Sequence, residues 1–489
     1  MSLSRLRAEW CPSVPRELMA GAVATFALIP EVIAFSFVAG VDPAVGLFAS
    51  FVIGIVIAFT GGRPAMVSAA AGSVALVAAP LVHAHGLPYL LAAGVLAGVV
   101  QIAFGLLRLG VLMRFVSSSV RTGFVNALAV LIFSAQLPHL QASHGANAAT
   151  WAMLALGLAI IYLLPRLTTA VPSPLVCIVV LTLLAHWMQL PLQTVADLGA
   201  LPDSLPAFGL PGVPVTWETM RLIALPACAI AMVGLLESMM TASVVDDLTD
   251  TPSSRNRECS GLGIANVAAS LFGGIAGCGM IGQTVSNVRY GGRGRLSTLF
   301  AGAFLLILMV LLKPWVSMVP VAALVAVMVM VSVSTFDWGS LRAVVRHPRT
   351  SSVVMLATVA VTLTTDNLAA GVAVGVLLSG VFFTFKVSRL LRVQPEDDGE
   401  ALRYRVSGQV FFASSEIFVD AFDVRDVAGR PVTIDVSQAH FWDITAIAAL
   451  EKVSERLSKH GSVVEIVGLN DASAGLMMRR GGAAEAEAD

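Results

Sequence analysis

Between Gly273 and Asn287 the chain reads G-G-I-A-G-C-G-M-I-G-Q-T-V-S-N, set among long apolar runs yet unable to continue any of them as regular helix. Five glycines fall between Gly273 and Gly282, and each exposes backbone and weakens a helix. Thr284, Val285, Ser286 and Asn287 can restart one whose first turn carries unpaired N–H groups. A broken helix at membrane depth is tolerated only where it packs inside protein or lines a polar cavity. The stretch therefore reads as half of a substrate site.

Many transporters consist of two repeats of inverted topology, so a matching interruption is expected nearer the N-terminus. Gly61, Gly62, Arg63 and Pro64 precede Met66 to Pro80, M-V-S-A-A-A-G-S-V-A-L-V-A-A-P, too short and too rich in small residues for an ordinary span. Helices restarting in both places near the midplane would turn their positive N-terminal ends toward one another, which suits an anion. Ser68, Ser73, Thr284, Ser286 and Asn287 supply donors at these two starts.

The composition agrees with a membrane-embedded chain. Of 489 residues 57% are hydrophobic and 12% charged, and mean hydropathy is +0.84, whereas soluble domains carry about 25% charged residues. A net charge of −1 excludes bulk basicity as a reason to expect nucleic acid. Five cysteines without a C-x-x-C pair argue against a disulfide framework or a zinc site. An apolar run from Leu18 to Val38 follows Arg5, Arg7 and Arg16; its 21 residues exceed the about 7 to 15 of a signal-peptide core. It is expected to be a first spanning helix, with no separate targeting signal.

Apolar segments follow at 18–38, 43–60, 66–82, 87–107, 122–138, 151–164 and 171–190. After a proline-rich stretch from Pro191 to Glu218 come 221–243, 259–276, the interrupted 280–290, 297–312, 315–333, 351–365 and 367–385. Fourteen crossings put nearly every loop Arg and Lys on one side, with Arg221 and Lys313 alone on the other. Basic residues concentrate in cytoplasmic loops, so both termini are expected in the cytoplasm of a multi-pass protein, in a bacterial inner membrane. Residues 393–401 read as a linker, 402–480 as a small α/β domain with Pro431–Ser437 and Ser462–Gly468 as strands around a helix at Ile444–Lys459, and 481–489 as a disordered tail.

Two acids carry the chemistry. Glu31 is the fourteenth residue of its apolar segment, about 20 Å into the membrane, where burying a carboxylate costs about 2.5 to 3.5 kcal/mol. Glu237 lies in a similar context, with Pro226 expected to open the first turn of its helix. Each can bind a proton or sodium ion that offsets an anion's charge. Phe35 lies one turn beyond Glu31 on the same face. Asp246, Asp247 and Asp250 read as a solvated loop. No nucleophile with its base, phosphate loop or metal cluster is evident, so no enzyme activity and no bound cofactor are expected.

A-G-A-V-A-T-F-A-L-I-P-E-V-I-A-F at 20–35, V-G-L-L-E-S-M-M-T-A-S-V-V-D-D-L-T at 233–249, the glycine-rich 273–295 and V-T-I-D-V-S with D-I-T-A at 432–446 together resemble the sulfate permease (SulP) family of anion transporters, which end in a STAS domain. The resemblance implies an α-helical membrane domain of fourteen segments in two inverted repeats of seven. It also implies a mobile core moving against a gate, and a homodimer. It places the site on Glu31, Phe35, Ser68, Ala70, Ala71, Ser73, Gly282, Gln283, Thr284 and Ser286, with Glu31 and Glu237 for proton or ion coupling.

Three departures matter. Many members carry Gln at the position of Glu31; the common S-G-P-T is here Ser68-Ala69-Ala70-Ala71; and animal relatives often carry Arg where Gln283 aligns. The phosphorylatable D-S-S-G of anti-sigma antagonists is here Asp443-Ile444-Thr445-Ala446, so Thr445 is expected to cap a helix or face solvent. The reading is a proton-coupled symporter of a small anion: a carboxylate or dicarboxylate, bicarbonate or sulfate. Its rivals are an uncoupled channel or exchanger and a membrane-anchored sensor signalling to a cytoplasmic partner of the STAS domain.

Overall fold

The structure is a computed structural model that describes residues 9–111, 116–141, 146–168, 173–198, 207–346, 348–397, 401–423, 427 and 429–486. It packs as two units, Met1–Val376 and Leu377–Asp489.

Seven helical segments make up the first half: α1 (Val14–Ala39), α2 (Pro43–Thr60), α3 (Gly72–His85), α4 (Leu87–Leu106), α5 (Ser118–Ser134), α6 (Ala148–Leu167) and α7 (Ser173–Trp187). Among the described residues seven more follow, with a further short helix, Trp338–Arg346, between the fifth and sixth: α8 (Trp217–Thr249), α9 (Arg255–Leu271), α10 (Ile281–Arg289), α11 (Arg295–Ser317), α12 (Val321–Thr335), α13 (Arg349–Thr365) and α14 (Leu368–Ser388). Because seven is odd, the second set begins on the opposite side of the membrane from the first, and the two repeats are inverted. Among the described residues seven helices are each long and apolar enough to cross alone, or eight with α12 and the helix Trp338–Arg346 taken as one bent span. The others are shortened by the interruptions or carry polar ends.

Local signals set many boundaries. Proline at the first turn starts α2 and α4, and α1 ends on Gly40 at φ 74°. Asn147 and Thr150 close a reciprocal capping box on α6. One expectation fails: Thr216 caps α8, so Pro226 lies well inside that helix rather than at its start. The helix also continues through Asp246 and Asp247 to Thr249, so these acids are not in a loop.

α1 to α4 interleave with α8 to α11, with α9 against α4 and α2, and α11 against α2 and α1; α5 to α7 pack with α12 and α13. Small residues permit the close approach expected where lipid supplies no hydrophobic drive between helices. A Cβ on Gly98 of α4 would meet the Gly263 carbonyl of α9 at 2.6 Å, and one on Gly263 would meet the Gly98 carbonyl at 2.5 Å.

The second unit holds a four-stranded sheet, β3 (Arg392–Asp397), β4 (Leu402–Val410), β5 (Val432–Phe441) and β6 (Val464–Val467), in that order. β3 and β4 are antiparallel and the other pairs parallel. Helices α15 (Ser415–Asp420), α16 (Ile444–Lys459) and α17 (Asp471–Ala486) complete it. Tyr404, Val406, Phe418, Phe422, Ile434, Val436, Ile447 and Leu450 form its buried core. The expected linker 393–401 is corrected: through Asp397 it is the edge strand β3, and 398–400 lie outside the described residues. Pro395 and the charges that argued for a linker are what edge strands tolerate. Leu402–Val410 is the strand that pairs with β3, and the tail expected to be disordered from Gly481 is helical to Ala486. Residues 487–489 lie outside the described residues.

Candidate functional site

Both interrupted stretches are extended before they are helical. Ser68–Ala70 forms strand β1 and Gly277–Gly279 forms β2, paired antiparallel with Ser68 opposite Gly279 and Ala70 opposite Gly277. Glycine is required at Gly277, where any Cβ would run into the Ala69 carbonyl across the ribbon. From opposite ends of this ribbon α3 and α10 depart, so the two helix N-termini flank it. Their N-cap positions are Ala71 and Met280, and neither end has a side-chain cap. The first helical bonds are Ala75 N–H to Ala71 O (2.9 Å) and Thr284 N–H to Met280 O (3.1 Å). The N–H groups of Gly72, Ser73 and Val74, and of Ile281, Gly282 and Gln283, thus have no acceptor within their helices.

A two-stranded ribbon leaves outer backbone groups that must find partners, and side chains supply them. Asn266 of α9 behaves like a further peptide group. Its Nδ2 donates to Gly277 O (3.1 Å) and its Oδ1 accepts from Gly277 N–H (2.9 Å), while Nδ2 also donates to Gln101 Oε1 (2.8 Å). Gly279 N–H donates to Ser238 Oγ (2.9 Å) and Thr241 Oγ1 donates to Gly279 O (2.8 Å). Ala70 N–H donates to Ser50 Oγ (3.1 Å).

The expected site residues converge here. Glu237 is buried and receives two donors on one carboxylate oxygen, the Ser73 hydroxyl from α3 and the Cys278 thiol from β2, the latter at 3.0 Å. Glu31 keeps part of its surface open and faces the Gln283 side chain, within electrostatic reach of Glu237. That approach does not close a well-formed hydrogen bond: both amide atoms of Gln283 are buried without a partner, as is Ser68 Oγ. Phe35 is buried with its ring over the first residue of α3, where a Cβ on Gly72 would lie 2.5 Å from it. Ala70 and Ala71 are buried, and Gly282 is exposed with open space where a Cβ would be. Ala34 and Val38, three and seven residues beyond Glu31 on its helix face, line a cavity with Phe37, Gln136, His139 and Leu324.

Three donors are placed differently from expectation. Thr284 Oγ1 accepts from Val67 N–H (2.9 Å) and lies 3.2 Å from Val67 O, so its hydroxyl is committed to holding α10 against β1. Ser286 is the sixth residue of α10, past the turn that carries free N–H groups. Asn287 donates to Ala65 O and Ser297 Oγ.

The charged supports of the site escaped the sequence reading. Glu258 Oε2 accepts from the N–H groups of Gly62 (2.7 Å) and Arg63 (3.2 Å). Glu17 accepts from Arg293, Gly294 and Ser297 N–H at 2.8, 2.9 and 3.1 Å. Buried Arg63 lies 3.2 Å from Asp246, which corrects the expectation of a solvated surface there, and it donates to Thr251 O (2.9 Å) and the Thr249 hydroxyl. The signal that could have found the acids is the repeated Gly-Gly-Arg at 61–63 and 291–293, whose exposed N–H groups need acceptors.

Two inverted seven-helix repeats with paired broken helices and uncapped ends at one ribbon define a membrane transporter. Residues 15–358 match the Sulfate permease family and residues 392–486 the STAS domain. The chain belongs to the sulfate permease family, a family of transporters rather than enzymes. It is 50% identical over 472 residues, 96% of this chain and 98% of the other, to the protein named "Putative sulfate transporter YbaR" of Bacillus subtilis. Its fold matches the transmembrane domain of a cyanobacterium bicarbonate transporter, BicA, with a TM-score of 0.67 and 26% identity over 73% of this chain and 97% of that one. It also matches the murine anion transporter Slc26a9 in its inward-facing state, with a TM-score of 0.83 and 18% identity over 96% and 88% of the two chains.

The D-I-T-A stretch of the STAS domain opens a helix. Asp443 caps α16, accepting from Ala446 N–H at 2.8 Å, while Thr445 faces solvent.

Proposed function

We propose that this anion transporter is a proton-coupled symporter of a small anion, with Glu31 as the coupling residue. One observation carries the reading: two helix N-terminal ends without side-chain caps lie at a buried ribbon, beside unpartnered Ser68 and Gln283 and a half-open Glu31. Each helix end stabilises an anion by about 0.3 to 2 kcal/mol, and no fixed positive side chain need accompany it. A proton carried on Glu31 neutralises the loaded cavity and avoids moving bare charge through a low-dielectric passage. Glu237, held by two donors, acts as the anchor joining α8 to both interrupted segments and as the second ion-coupling candidate.

Substrate contacts are assigned to Glu31, Phe35, Ser68, Ala70, Ala71, Ser73, Gly282 and Gln283, with Thr284 and Ser286 supporting the helix that carries the last two. The names of the relatives favour sulfate or bicarbonate; a carboxylate or dicarboxylate has the same charge and hydrogen-bonding needs. α1–α4 with α8–α11 form the core that moves, elevator-like, against a gate of α5–α7 with α12–α14. Assembly as a homodimer, cytoplasmic termini, and a partner for the STAS domain belong to the same reading. The coupling ion is a proton, with sodium as the alternative.

Uptake into proteoliposomes across a panel of these anions, with imposed pH and sodium gradients, tests it. Acceleration by an inward proton gradient is expected. Anion current that follows driving force without proton flux would select an uncoupled channel or exchanger instead.

A further inference from the structure

The helix Trp338–Arg346, between α12 and α13, carries none of the site residues. It leaves α12 at 44°, and one side of it is fastened. Asn126 of α5 donates to Ser340 Oγ (2.7 Å) and accepts from Asp337 N–H (2.8 Å), and Ser352 of α13 donates to Val344 O (2.9 Å). The other side is bare: Trp338, Leu341 and Val345 are 59%, 55% and 87% exposed. At 3.6 residues per turn these three fall within about 60° of one another, and Arg342 and Arg346 occupy the adjoining stripe. Arg349, at the start of α13, continues it. All three arginines are exposed, and among the described residues no carboxylate pairs with them.

We propose that the helix Trp338–Arg346 is an interfacial anchor whose apolar stripe lies in the membrane surface and whose arginines, with Arg349, bind the phosphate headgroup of an anionic phospholipid. Three observations select this occupant. The helix joins two spans and therefore lies at the membrane boundary. An apolar stripe beside a basic one is the pattern of helices lying in the headgroup plane, with tryptophan at that depth. Guanidinium groups without acidic partners complement phosphate, as a planar donor fork does best. Since Asn126 fastens the inner side of the same helix to α5, a lipid held here would also fix the end of the gate helices.

The test uses the full chain in phosphatidylcholine vesicles containing a minor fraction of phosphatidylglycerol, with brominated acyl chains placed either on the phosphatidylglycerol or on an equal fraction of the phosphatidylcholine. Bromine quenches nearby tryptophan, and the difference between the wild type and Trp338→Phe isolates Trp338. Quenching about twofold or more stronger with bromine on phosphatidylglycerol is expected, with the excess lost in Arg342→Gln/Arg346→Gln. Hydrogen exchange across 338–346 in the wild-type chain, expected to slow when phosphatidylglycerol is added, needs no substitution. Equal quenching from both lipids would leave an ordinary lipid contact and overturn the proposal. No quenching from either would mean that a second copy or another protein covers the stripe, and would overturn it as well.

Discussion

Asn266 and Thr284 stand where further strands would stand in a larger sheet, Asn266 pairing both backbone groups of Gly277 in the ribbon and Thr284 the N–H of Val67 just before it, whose carbonyl also accepts from Met280 N–H at 2.9 Å. Removing Asn266 leaves a buried donor and acceptor unpaired, and removing the Thr284 hydroxyl leaves the Val67 N–H unpaired, at about 1 to 3 kcal/mol per group. Thr284→Val is therefore expected to lower the thermal stability of the purified protein and weaken anion affinity together, whereas Ser286→Val, beyond the first turn, should change each far less. Thermal unfolding and equilibrium binding on both variants check this; equal effects would mean that Thr284 has no special role in the ribbon. Glu31→Gln is expected to fold, to abolish the acceleration of uptake by an inward proton gradient and to leave slow exchange, because Gln keeps the shape of the protonated acid without its exchangeable proton. Wild type and variant compared in the same liposomes decide the matter, and equal acceleration would transfer coupling to Glu237.

At the scale of elements, α3 and α10 are helices that begin in the interior, and what begins them differs from ordinary capping. Ala71 and Met280 offer no side-chain acceptor, which leaves six N–H groups open to the proposed ligand. A side-chain acceptor at either cap would compete with it. Ala71→Asp is expected to supply that acceptor and a negative charge, lowering anion affinity by more than about tenfold, a shift that corresponds to about 1.4 kcal/mol. Titration of binding reads it, and unchanged affinity would place the anion elsewhere. Phe35 packs over Gly72 so closely that Gly72→Ala must displace the ring. Transport should fall in that variant and recover partly when Phe35→Leu is added, as uptake rates of the single and double variants would show.

For the whole molecule, every proposed ligand precedes α14, and the core of the STAS domain closes on its own residues, from Leu391 to Leu457. A chain truncated after Ser388 is expected to retain anion binding, measured directly on the purified membrane domain. A truncated protein that stays folded but binds no anion would assign the STAS domain a share in forming the site; reduced yield alone would not.

Long-range apolar patterning was enough to read fourteen segments and both interruptions, because in a bilayer a backbone must be helical unless protein or a polar cavity shelters it. Small residues and glycines in a spanning position therefore announce themselves without a partner in view. The sequence could not show where the exposed backbone of those interruptions finds its hydrogen bonds. Gly277 meets Asn266 only once α9 is folded against the ribbon, and Glu258 reaches Gly62 across 196 positions of chain. The same holds for Arg63 and Asp246, which read as loop charges until the end of α8 brings them together. In β3 the local signals pointed the wrong way: proline and charge suit a linker and an edge strand alike, and only pairing with β4 distinguishes them. Patterning with respect to membrane and solvent is a property of one chain segment, whereas satisfying a buried polar group is a property of two, and only the tertiary structure decides which two meet.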